Sequence, residues 1–122
     1  MNSEKLTFEP LQASSPEEHI YRLNGPLVLG TIFEFKEVLR SESVNTILDL
    51  TGVPYMDSAG LGILTNAYVS HQKRGQKLLL VGANERVLAL FKITRLDHLF
   101  ELFPTVESAI QTLGKHSPRI VA

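Results

Sequence analysis

The stretch ILDLTGVPYMDSAGLGIL, residues 47–64, decides the fold. It opens as a short apolar run of the kind that forms a buried strand, passes through a loop at Gly52–Tyr55, and ends as the start of a helix. Asp57 and Ser58 stand at the change. Asp or Ser ahead of an apolar-periodic run is ordinary N-cap chemistry, contributing about 1 kcal/mol to the helix. Two glycines follow, Gly60 and Gly62, and each costs about 1 kcal/mol relative to alanine inside a helix. Two accounts offset that cost: tight packing of the helix start against its neighbour, or close approach of a partner protein over bare backbone. From Ser58 the helix runs to about Arg74, with Leu61, Leu64, Tyr68 and His71 on one stripe and Ile63 and Ala67 beside it. Gly75 supplies its stop.

Strand-like and helix-like segments alternate on either side. LTFEPLQ (6–12) and HIYRLNG (19–25) read as two short strands separated by turn material, an opening hairpin. TIFEFKEVLRSE (31–42) pairs Thr31 with Glu34 in a capping-box pattern and repeats Ile32, Phe35 and Leu39 at helical spacing. At least one of Phe33 and Phe35 belongs to the core. NTILDLT (45–51) and KLLLVG (77–82) read as buried strands. NERVLALFKI (84–93) opens on a good cap, Asn84, and carries Val87, Leu90 and Phe91 on one face. FELF (100–103) is a brief strand, with Phe91, Phe100 and Phe103 in the core. Pro104 and Thr105 lead into a helix with Val106, Ile110 and Leu113. The remainder, GKHSPRIVA (114–122), reads as a frayed tail. The order β-β-α-β-α-β-α-β-α implies an α/β fold: a mostly parallel central sheet with an antiparallel N-terminal strand and about four helices packed against it. In such sheets the functional crevice lies beyond the carboxyl ends of the strands, where GVPYMDS falls; Tyr55 and Met56 are placed there as loop and rim positions.

Composition bounds the rest. A chain of 122 residues fits one domain, expected over 1–122 with its core at about 6–113. Twelve Lys and Arg against thirteen Asp and Glu give a formal charge of −1, and no basic cluster exceeds Lys73-Arg74, so direct nucleic-acid or anionic-lipid binding is not indicated. The absence of Cys rules out disulfides, thiolate metal sites and thiol nucleophiles. The start MNSEKLTFEP lacks the pattern of a signal peptide and no apolar run reaches membrane-spanning length, so a cytoplasmic protein without membrane insertion is expected. Ser58 as a hydrolytic nucleophile would need a base and an oxyanion hole, yet G-x-S-x-G is missing and His19, His71, His98 and His116 carry no signature. Phosphate-binding glycine loops are missing too, and no cofactor or metal is expected.

The residues around Ser58 carry a resemblance. ILDLTGVPYMDSAGLGIL is similar to the signature of the STAS domain family, above all its stand-alone bacterial members, the anti-sigma factor antagonists. Asp57, Ser58, Gly60, Leu61 and Gly62 match that family's Asp-Ser-Ser/Thr-Gly-Leu-Gly in register. RLNGPL near the front and KLLLVGANERVLALFKITRLDHLFELFPTVESAI resemble further family segments, so the likeness extends from about Leu6 to Leu113. It implies a switch rather than an enzyme. The serine matching Ser58 is phosphorylated by an anti-sigma factor with serine kinase activity that is also the binding partner, and a serine phosphatase restores the active form. Met56, Asp57, Ser58, Ala59, Gly60, Leu61 and Gly62 would then form the partner-binding stretch. The unphosphorylated protein sequesters the kinase and so frees a sigma factor.

Two positions depart from the family pattern. Ala59 replaces its second hydroxyl residue, leaving Ser58 as the hydroxyl candidate there. Val28 stands where the family often has an acidic residue three positions after the glycine matching Gly25, which leaves open a docking module without phosphorylation. The resemblance also implies an alternative role, as a non-enzymatic regulatory subunit of a membrane transport system.

Overall fold

The computed structural model describes residues 5–13, 15–41 and 44–116. The elements follow the expected order: β1 (Thr7–Leu11), β2 (Glu18–Asn24), α1 (Phe33–Ser41), β3 (Asn45–Gly52), α2 (Ser58–Lys73), β4 (Leu78–Val81), α3 (Glu85–Ile93), β5 (Glu101–Phe103) and α4 (Val106–His116). One five-stranded sheet has the order β1-β2-β3-β4-β5, with β1 antiparallel to β2 and every other pair parallel. Because each parallel strand is added on the same side of the last, right-handed crossovers place α1, α2 and α3 on one face. α4 covers the other face, beside β3 and β4.

The two faces are visible in β3. Leu48 and Leu50 join Phe35, Leu64, Val87 and Phe91 in the larger core, whereas Ile47 joins Ile20, Leu79, Val81, Ala109 and Leu113 under α4. Thr46 to Leu50 are all buried, which is why this segment reads as a continuous apolar run rather than an alternating one. β1 is an edge strand and carries Pro10, whose missing N–H an edge tolerates. Phe35 is fully buried, its ring 5.3 Å from that of Phe8, while Phe33 is 67% exposed. Phe91 and Phe100 are core as expected; Phe103 is half-buried against the α4 cluster. His71 is buried structurally: its Nδ1 lies 2.8 Å from the Ala67 carbonyl and its Nε2 2.9 Å from the Thr46 hydroxyl.

Helix ends agree with the sequence except at the start of α1 and the end of α4. Asn84 caps α3, its Oδ1 accepting from the Val87 N–H at 2.9 Å. Gly75 ends α2 at φ +72°, and the Gln76 N–H donates to the His71 carbonyl at 2.8 Å. Thr31, expected to cap α1 with Glu34, does not. Its hydroxyl donates to the Pro26 carbonyl at 2.7 Å and accepts from the Val28 N–H at 3.1 Å, folding the preceding loop on itself. The helix starts two residues later, with the Ile32 carbonyl accepting from the Lys36 N–H at 2.8 Å. The C-terminal boundary also moves: α4 continues through Gly114 to His116, and only 117–122 of the expected tail lie outside the described residues.

Phe35→Ala is expected to lower stability by about 3–5 kcal/mol, and Phe33→Ala by no more than about 0.5 kcal/mol. Urea unfolding of both variants checks this, and equal losses would contradict the burial assigned to the two rings.

Candidate functional site

Past the ends of β2 and β3 the two chains keep pairing. The Leu27 N–H donates to the Tyr55 carbonyl at 3.1 Å and the Asp57 N–H to the Leu27 carbonyl at 3.3 Å, an isolated parallel bridge between Leu27 and Met56. The Asp57 carboxylate then joins three backbone donors. Its Oδ1 accepts from the Ala59 and Gly60 N–H groups at 2.9 and 3.1 Å, and its Oδ2 from the Leu29 N–H at 3.2 Å. One oxygen caps α2 while the other holds the β2–α1 loop. On the opposite flank, Asn84 Nδ2 donates to the carbonyls of Val53 and Pro54, at 3.3 and 3.1 Å. Arg86 lies over the Tyr55 ring, 4.9 Å from its centroid. The β3–α2 loop is therefore gripped from both sides.

Ser58 is the first residue of α2 and is exposed. Asp57 makes the cap bonds, so the Ser58 hydroxyl is not committed to holding the helix. The other residues of the stretch divide by burial. Asp57, Ala59 and Gly62 are partly exposed, whereas Gly60 is buried. Met56, expected at the rim, is 8% exposed and belongs to the larger core, as does Leu61 at 6%. The pairing of Met56 with Leu27 turns it inward.

The two glycines have different reasons. A Cβ on Gly60 would run into the Leu27 carbonyl, with the carbonyl carbon at 2.9 Å. The packing account therefore explains Gly60. A Cβ on Gly62 would meet nothing within 4 Å, so no described residue demands the glycine there. Sequence reasoning missed one exposed apolar side chain beside the site, Leu29 at 62% exposed. The signal available for Leu29 was an apolar residue in a loop, next to Gly30, with no periodic partner. Among the described residues no group of three or more His, Asp or Glu side chains is placed to hold a metal ion, and no helix is long and apolar enough to cross a membrane.

This fold matches a known class. Residues 11–109 match the STAS domain, and the chain belongs to that family. A curated relative, the anti-sigma-B factor antagonist of Listeria monocytogenes, is 41% identical over 61 residues, which are 50% of this chain and 54% of that protein. The chain thus spans about half the length of that relative. Among solved structures, the unphosphorylated anti-sigma factor antagonist SpoIIAA superposes with a TM-score of 0.75 at 19% identity, covering 95% of this chain and 100% of that one. A sulfate transporter family protein from Wolinella succinogenes superposes with a TM-score of 0.73 at 25% identity, covering 85% and 93%.

Gly60→Ala is expected to lower stability by about 1–3 kcal/mol as the new methyl displaces the Leu27 backbone. Gly62→Ala should leave stability unchanged or raise it by up to about 1 kcal/mol. Thermal melts of the two variants check the pair; a stabilised Gly60→Ala would contradict the packing account.

Proposed function

We propose that this protein is an anti-sigma factor antagonist, acting as one protein-binding domain in the cytoplasm and switched by phosphorylation of Ser58. The carrying observation is the exposed hydroxyl of Ser58 at the first position of α2, beside a neighbour that already caps the helix. The Listeria relative, named for antagonism of an anti-sigma-B factor, supports the class. On this reading the partner is an anti-sigma factor with serine kinase activity, which docks over Asp57, Ser58, Ala59 and Gly62 and is held away from its sigma factor. A serine phosphatase resets the modified form. No catalytic group or cofactor of this chain takes part.

The physics of the switch is local. A phosphate adds about 1.5–2 negative charges and three acceptor oxygens. Two like charges about 5 Å apart at an effective dielectric near 20 repel by roughly 3 kcal/mol, enough to weaken docking more than a hundredfold. Within the domain the same charge is well placed. It sits at a helix N-terminus, and the first turn of α2 contains no acidic residue. The modified domain therefore stays folded while its surface becomes more negative. The likeness to the Wolinella sulfate transporter family protein favours one second reading, a docking subunit of a transport system that uses the same surface without phosphorylation.

Peptide mass spectrometry after incubation with the kinase and ATP is expected to place phosphate on Ser58, and phosphate found only elsewhere would refute the assignment. Ser58→Asp should weaken partner binding by about 1–3 kcal/mol, while Ser58→Ala binds and resists switching. Equal affinity of the two folded variants, measured by calorimetry, would exclude an electrostatic switch and leave the docking reading.

A further inference from the structure

Further along α2, a groove of about 250 Å³ lies between α1 and α2. Its floor is apolar, made by Leu39, Ile63 and Ala67, and its α1 rim is cationic, made by Lys36 and Arg40. Asn66 and Ser70 form the opposite rim. Among the described residues no carboxylate lines it. α2 carries no Asp or Glu from Ser58 to Lys73, in a chain with 13 acidic residues against 12 basic ones, so the acid-free face is a local departure from composition. Lys36 makes no ion pair with another described residue. Arg40 meets Glu37 at 3.2 Å, but both side chains are 69% exposed, and a pair of that kind is readily exchanged for another partner.

The groove and the switch serine share one ridge. Ser58, Gly62, Asn66 and Ser70 follow one another at intervals of four, the spacing that forms a continuous row along a helix. At a rise of about 1.5 Å per residue the row is about 18 Å long. Gly62 is its low point, and no described residue nearby requires the missing side chain.

We infer that this groove is the second half of the docking surface, and that it receives an acidic segment of the partner: carboxylates against Lys36 and Arg40, and one apolar side chain on the Leu39, Ile63 and Ala67 floor. The inference rests on the reading of Ser58 as the switch, and it says why that switch works by charge. A phosphate at the head of the ridge faces a partner segment of its own sign.

The test uses the full chain and the anti-sigma factor of the same organism, with affinity measured by calorimetry across a salt series. The double reversal Lys36→Glu with Arg40→Glu is expected to weaken the complex at least tenfold and to flatten its salt dependence. The milder Lys36→Gln should weaken it a few-fold, and the control Glu107→Lys, on α4 across the sheet, should bind as the unaltered chain does. Circular dichroism confirms that each variant is folded. A complex that forms normally yet is unchanged within twofold by the reversals, or is tightened by them, overturns the groove while leaving the Ser58 reading intact. Weakening by the reversals with no effect of Ser58→Asp supports the groove and overturns the switch. Failure of the unaltered chain to bind any anti-sigma factor overturns both.

Discussion

The carboxylate of Asp57 is the constraint on which the site depends. One of its oxygens satisfies two of the four amide groups that any helix leaves open at its start, and the other reaches the Leu29 N–H in a separate loop. A cap alone contributes about 1 kcal/mol. Here it does more than stabilise a helix, because its second oxygen makes the starts of α1 and α2 into one unit. The backbone pairing of Leu27 with Tyr55 and Asp57 reinforces the same joint. Leu29 is thereby held exposed next to the α2 start, rather than folded into the core that takes Leu27 and Ile32.

Topology explains why the joint lies where it does. Adding parallel strands in sequence order carries each chain from the carboxyl end of one strand into a helix on the same face, so the loops before α1, α2 and α3 all gather at one edge of the sheet. Asn84 before α3 and Asp57 before α2 are equivalent caps in this arrangement, and each uses spare hydrogen-bonding capacity to hold a neighbouring loop. The edge is thus tied together by cap residues that also bond the neighbouring loop.

Much of this was legible in the sequence, and the failures share a cause. The strand at 45–52, the start of α2 at Ser58, the Asn84 cap and the Gly75 stop are local events, decided by residues within a few positions of one another. Thr31 was misread because its hydroxyl is taken by the Pro26 carbonyl, an option that a capping-box pattern does not encode. Met56 was placed at the rim because its burial depends on Leu27, distant in sequence. Gly60 could not be assigned between packing and partner approach for the same reason: the atom that forbids its side chain is the Leu27 carbonyl. Family resemblance supplied the register of the Ser58 motif, but it did not show that two glycines two residues apart serve different ends.

That separation of roles extends to the neighbouring pair, Asp57 and Ser58. Were the serine itself the cap, adding a phosphate would convert the oxygen that holds the helix, and modification would act on folding as well as on docking. With Asp57 as the cap, the serine hydroxyl has no structural duty at the helix start. Charge can then be added at the first position of α2 with little cost to the domain, since open amides and the helix dipole favour an anion there. The proximity of the Asp57 carboxylate acts in the opposite direction, but its charge is already spread over three backbone donors. On the proposed reading, the surface would gain negative charge while the scaffold beneath it, fixed by Gly60 against Leu27, stays in place. A switch that works by charge needs both properties, and they reside on different residues of one six-residue motif, Asp57 to Gly62.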